Sequence, residues 1–189
     1  MSEHKTDISV IQDILKGNAH AFEQLYKRYA RFYLLTCLRY MKTRSDAEDM
    51  LQEACIKIYK DLYQFNAEKA SFISWSKRIV INTCLMELRR NSVVDYKENV
   101  FEIGTNFSVN SNALENLKLE DLTKIVQTLP RGYRTVFNMY VVDGYAHNEI
   151  ADMLNISVST SKTQLMKARK LLQNKIAEKE TSLIENYAG

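Results

Sequence analysis

His147-Asn148-Glu149-Ile150-Ala151-Asp152-Met153-Leu154-Asn155-Ile156-Ser157-Val158 is the stretch whose reading decides the fold. Ile150 and Leu154 stand one helical turn apart and face inward, and Ala151 is small enough for a close helix crossing. Asn155 falls where a tight turn requires a positive φ, which asparagine tolerates better than most non-glycine residues. This is the spacing of a helix-turn-helix.

The next helix is expected from Ser159 to about Lys179. Leu165, Ala168 and Leu172 give it an inward stripe, and Ser161 falls on the same stripe, so a hydroxyl enters the bundle and loosens the helix. No acid occurs between Asp152 and Glu178, whereas Lys162, Lys167, Arg169, Lys170 and Lys175 all do. Short hydroxyls at the helix start and cations along it suit phosphate anchoring and major-groove contact. A solvated basic face would carry the same charges; the turn pattern in register before it favours DNA.

Upstream, helices are expected over Arg131–Val142, ended by Asp143-Gly144, and over Ala113–Leu129, ended by Pro130. Asn91 to Asn112 has no helical period and is rich in Asn and Ser, which reads as an interdomain linker. In the N-terminal half, Ile8–Leu15 is a short helix ending at Gly17, and Asn18 caps a longer one to Met41. Its stripe of Phe22, Leu25, Tyr26, Tyr29, Phe32 and Tyr33 reads as core. Ser45-Asp46-Ala47-Glu48 has the form of a capping box and opens a helix to about Tyr63. Gln64 to Ala70 is a polar break, after which Ser71 caps a helix to Arg90. The fold class is therefore all-α: two small helical domains joined by a flexible linker, the C-terminal one a helix-turn-helix. The boundaries are 1–92, 93–112 and 113–189.

Composition narrows the function. The chain carries 26 Lys+Arg against 23 Asp+Glu, a net charge of +3, so only local runs point to a polyanionic partner. One proline and five glycines in 189 residues favour long helices. No apolar run reaches the roughly 20 residues of a membrane span, and the polar start from Met1 to Asp7 lacks the apolar core of a signal peptide. Cys37, Cys55 and Cys84 lie inside apolar helical patterns and read as small buried hydrophobes of a reducing compartment; His4, His20 and His147 make no ligand spacing with them. A cytoplasmic protein without metal, cofactor or membrane insertion is expected. With no glycine-rich phosphate loop and no nucleophile–base pair, there is no catalytic site either.

Four segments together resemble a known family. Asp46-Ala47-Glu48-Asp49-Met50-Leu51-Gln52-Glu53 is similar to the helix with which bacterial sigma factors dock on the clamp of core RNA polymerase. Ser71-Phe72-Ile73-Ser74-Trp75 through Arg78-Ile79 to Asn82 resembles the next helix, which faces the melted −10 region. Leu129 to Phe137, and Asp143-Gly144-Tyr145 through Ile150-Ala151, resemble the C-terminal domain that ends in the −35-reading helix. A linker too short for a third domain resembles the extracytoplasmic-function (ECF) group.

The resemblance implies roles. Asp46, Asp49, Gln52 and Glu53 would contact core RNA polymerase. Gln64, Phe65, Asn66 and Lys69 would hold an extruded −10 base, while Lys77, Arg78, Asn82, Arg89 and Arg90 would lie along the melted non-template strand. Ser159, Lys162, Thr163, Gln164, Met166, Lys167 and Arg169 fall on the −35 duplex contacts, and Trp75 reads as core. The linker acids Asp95, Glu98 and Glu102 would run through the polymerase's RNA exit path, and an anti-sigma factor would hold the protein inactive. Ser159, Ser161, Gln164 and Met86 depart from the family's usual residues, so base preference does not carry over. The rival readings are a repressor or activator that binds duplex DNA without polymerase, and an enzyme. The first leaves the acidic helix and the Ser71–Arg90 helix unexplained.

Overall fold

The computed structural model describes residues 6–92 and 124–187, with side chains over 6–90 and 124–176. The chain divides into two compact units, Met1–Asn99 and Val100–Gly189. Among the described residues every regular element is helical. The expected linker and the first part of the expected Ala113–Leu129 helix lie outside them; residues 124–127 are helical.

The first unit packs α1 (Asp7–Leu15), α2 (His20–Tyr40), α3 (Arg44–Asp61) and α4 (Phe72–Ser92), with a 3₁₀ turn at Leu62–Gln64. Gly17, at φ +98°, turns the chain out of α1 in a conformation that glycine adopts without steric cost. α2 begins without the expected Asn18 side-chain cap; Asn18 contributes its backbone carbonyl to Ala21 N–H instead. α3 starts two residues earlier than its sequence pattern indicated. Thr43 is the cap, its Oγ1 accepting from Asp46 N–H at 3.1 Å. Ser45 is thereby inside the first turn, and Glu48 pairs with Arg44 at 2.8 Å rather than closing a capping box.

The buried face of α3 is Ala47, Met50, Leu51, Ala54 and Ile58, as the three- and four-residue spacing requires. Leu25 and Tyr33 of α2 are buried, and Phe22, Tyr29 and Phe32 half-buried, but Tyr26 is exposed and no part of the core. Tyr33 Oη donates to Ser76 Oγ at 2.7 Å, and Ser76 Oγ donates to Phe72 O at 2.7 Å, so these two buried hydroxyls are satisfied across the α2–α4 contact. Burial raises the Tyr33 phenol far above its ordinary range. Cys37 and Cys84 are buried and Cys55 half-buried, all as free thiols. Burial pushes the Cys55 thiol up to about 11, and hydrogen bonding to Cys37 with burial raises Cys84 further, which leaves both protonated and inert.

In the second unit, α5 (Arg131–Phe137) begins after Pro130 and runs on as a π-helical turn, Asn138–Val142. Gly144, at φ +79°, leads out of it, and Tyr145 N–H returns to Met139 O at 2.9 Å. α6 (His147–Leu154) ends at Asn155, whose φ of 54° and ψ of 49° are the left-handed conformation expected of it. α7 (Val158–Tyr187) starts one residue before the expected position, capped by Ser157 Oγ, which accepts from Thr160 N–H at 3.0 Å. Leu129, Val136, Met139, Ile150, Ala151, Leu165, Ala168 and Leu172 form the buried interior.

Ser161 lies on that inward stripe, fully buried, and α7 runs through it without a break. Its Oγ is hydrogen-bonded to His147 Nδ1 at 2.9 Å, so a buried hydroxyl that would destabilise the bundle unpaired has a partner.

The shift of the α3 cap from Ser45 to Thr43 is testable. Thr43→Ala should cost about 1 kcal/mol of unfolding free energy, and Ser45→Ala less than about 0.5 kcal/mol. Urea titrations of the full chain measure both. A larger loss at Ser45 would return the cap to that residue.

Candidate nucleic-acid interface

Three exposed faces carry the residues the sequence singled out. On α3 the buried stripe turns Asp46, Asp49, Gln52 and Glu53 outward, where all four are exposed. Among the described residues no cation pairs with Asp46 or Asp49. Glu53 is held by Lys57 at 2.7 Å, and Lys57 also reaches Thr83 Oγ1 of α4 at 3.4 Å. The face does not end with the acids. Ile56, Tyr59 and Tyr63 follow Gln52 at four, seven and eleven residues and remain exposed, Tyr63 to 71%. Sequence reading passed over them, although apolar residues in register with an acidic outer stripe are a signal of a covered surface.

The polar break after α3 is built around Phe65. Its ring is half-buried against Phe72 at 5.7 Å and Trp75 at 5.5 Å, so it anchors the loop instead of presenting itself to solvent. Gln64 and Asn66 flank it and stay exposed. Gln64 Nε2 donates to Tyr63 Oη at 3.0 Å, and Asn66 Oδ1 accepts from Glu68 N–H at 2.8 Å, which fixes the turn. Lys69 is exposed at the end of this loop. Trp75, expected in the core, is half-buried in the same aromatic cluster.

Along α4, Arg78, Asn82 and Arg89 recur at helical spacing on one exposed face, with Met86 57% exposed beside them. The eleven residue steps from Arg78 to Arg89 give this face a length of about 17 Å, several nucleotides of extended strand. Lys77 is half-buried on a flank, and Arg90 pairs with Glu87 at 2.9 Å, so these two lie outside the stripe.

α7 presents the third face. Because Ser161, Leu165, Ala168 and Leu172 point inward, Ser159, Thr163, Met166 and Lys170 form the outer crest, with Lys162 and Arg169 on one flank and Lys167 on the other. Ser159 Oγ shares hydrogen bonding with the capping Ser157 at 2.8 Å. Lys167 Nζ stands 5.9 Å over the Tyr133 ring. Gln164 leaves the crest: it is half-buried over α5, where a Cβ on Gly132 would meet its Oε1 at 3.3 Å. The helix N-terminus, its hydroxyls and its cations form a cylinder about 10–12 Å across, the width of a B-DNA major groove.

Beside the crest lies an open groove of about 620 Å³, lined among others by Tyr140, His147, Lys162, Met166, Arg169 and Lys170. The His147 ring stacks on Tyr140 at 4.3 Å. Partial desolvation first, then the Lys162 and Arg169 cations, hold its pKa below the ordinary imidazole value. Neither Tyr140 nor His147 was singled out from the sequence as a contact. Among the described residues no group of His, Cys, Asp and Glu side chains could hold a metal ion. No described helix is long and apolar enough to cross a membrane.

Residues 25–93 match the profile of Sigma-70 region 2, and residues 119–172 that of Sigma-70 region 4. The ECF RNA polymerase sigma-E factor of Escherichia coli K12 is 35% identical over 188 residues, covering 93% of this chain and 97% of that protein. Its namesake in Haemophilus influenzae is 26% identical over 187 residues, with 93% and 98% covered. In fold the chain is similar to CnrH solved with the cytosolic domain of CnrY, at TM-score 0.51 and 20% identity over 91% of this chain and 97% of that one. It is also similar to RpoE of Bartonella quintana solved with the anti-sigma factor NepR, at TM-score 0.56 and 19% identity over 82% and 96%. With two sigma profiles in order along the chain and a relative of that identity over almost its whole length, the chain belongs to the ECF sigma factor family of RNA polymerase.

Proposed function

We propose that this sigma factor, which directs RNA polymerase in transcription initiation, divides its work among the three faces. The α3 face binds core RNA polymerase through Asp46, Asp49, Gln52 and Glu53. α7 sets the complex on −35 duplex DNA. The loop around Phe65 and the Arg78–Asn82–Arg89 stripe of α4 hold the melted −10 non-template strand. No bond chemistry is involved, and the protein is no enzyme. Extruding a base costs a few kcal/mol, which a shaped pocket and backbone cations offset. The protein acts in the cytoplasm, and an anti-sigma factor is its regulator; CnrH and the Bartonella RpoE were each solved with a protein partner.

The observation that carries this reading is the outer face of α7, acid-free and cationic from Ser159 to Lys170, with its rotation fixed by the buried stripe. Alanine at Lys162 or Lys167 should weaken holoenzyme binding to a −35 duplex by about 1–3 kcal/mol if the side chain meets a base edge. If it meets phosphate, the loss should be uniform across sequences and the salt slope should fall by about one unit. Lys175, half-buried on another face, is the control and should matter little. Titrations at several salt concentrations separate the cases; parental binding and transcription by the double variant would reduce this face to solvated surface.

Polymerase docking is tested separately. Replacing Asp49 and Glu53 together by lysine should weaken core binding by more than about 2 kcal/mol, because like charges are then brought to a complementary surface. Circular dichroism should stay helical, since both side chains are exposed. Unchanged affinity with normal helicity would refute the docking role.

The domain limits follow from the same reading. Residues 1–92 and 113–189, expressed separately, should each unfold cooperatively, because each unit described above buries its own apolar interior. Failure of both fragments to fold would move the boundary.

A further inference from the structure

The groove beside α7 has properties that docking of a helix crest does not require. Among the described residues its lining includes Lys162, Arg169 and Lys170 and no carboxylate, which suits an anion. His147 is fixed on both sides, by the Tyr140 ring at 4.3 Å and by Ser161 Oγ at 2.9 Å from Nδ1. The hydroxyl suits either charge state: it donates to a neutral Nδ1 and accepts from the N–H of an imidazolium, whose other N–H remains free to donate. We propose that this groove is a proton-coupled phosphodiester site, in which His147 binds one backbone phosphate of the −35 duplex as the imidazolium. The proposal rests on the promoter-reading assignment of α7.

The charges around the ring give the direction. Lys162, Arg169 and Lys170 come from α7 and Tyr140 from the π-helical turn, while the carboxylate of Glu149, two residues along α6, accepts from Ala146 N–H at 2.8 Å. In the free protein desolvation first, then the Lys162 and Arg169 cations, favour the neutral ring. A phosphate seated among them reverses the field and raises the imidazole pKa. Between the free and bound values, binding takes up a proton, so affinity rises as pH falls.

The experiment is titration of holoenzyme with a −35 duplex between about pH 6 and pH 8, a range that brackets an ordinary imidazole, at constant ionic strength. The parent should bind more tightly at low pH, by up to about tenfold per pH unit for one proton. His147→Gln, checked for helicity, should lose that part of the slope. Replacing backbone phosphates one at a time by neutral methylphosphonate should flatten the parental slope at a single position and add nothing to His147→Gln. Equal slopes in parent and variant would overturn the proposal. The alanine variants of Lys162 and Lys167 report separately on the underlying reading: if they bind −35 DNA like the parent, that reading fails first. Inorganic phosphate alone, followed by the His147 Cε1 proton resonance, distinguishes a free anion from DNA. A rise in pKa as large as the duplex produces would overturn the assignment to DNA.

Discussion

Everything this protein presents to a partner depends on the burial of one narrow stripe per helix. A helix repeats every 3.6 residues, so fixing the inward stripe fixes every other direction. In α7 the stripe is Ser161, Leu165, Ala168 and Leu172, of which Ala168 and Leu172 pack with Leu129 and the partly buried Ile125, Tyr133 and Phe137. Once it is set, the cations have no choice of face. In α3 the stripe of Ala47, Met50, Leu51, Ala54 and Ile58 does the same for Asp46, Asp49 and Glu53. Surface charge of itself contributes little to stability; the apolar interior decides where it goes.

The two units apply this constraint differently. The first pairs buried polar atoms between helices, as with Tyr33, Ser76 and the Phe72 carbonyl, and places an aromatic anchor at the loop after α3. The second is smaller and depends on backbone devices: a π-helical turn, a glycine at φ +79°, and Asn155 in the left-handed region. Those turns set the angle at which α6 and α7 meet, which brings His147 onto Ser161.

The helical class, the inward stripes and the Asn155 turn were legible in the sequence because each is a local rule: spacing for the stripes, steric tolerance for the turn. Cap positions were not. Thr43 and Ser45 are both good capping residues, and the choice depends on where α2 ends and how the chain must re-enter the bundle, which no local rule contains. The fate of the Ser161 hydroxyl was likewise hidden, because its partner lies 14 residues away across the turn. Gln164 was expected among the −35 contacts on the family resemblance alone; its packing over α5 at Gly132 was not visible in the sequence. The acids of α3 were readable, but the apolar continuation through Ile56, Tyr59 and Tyr63 was not distinguished from core until their exposure was known.

The central claim is that the protein works only as the specificity subunit of a polymerase, joining core binding to promoter reading in one chain. Transcription by purified core RNA polymerase on a library of promoter fragments, with and without the protein, tests it most directly. The account predicts initiation only when the protein is added, at start sites that share a −35 element and a −10 element at fixed spacing. Initiation indifferent to the protein, together with tight sequence-specific binding of duplex DNA by the isolated chain, would contradict it.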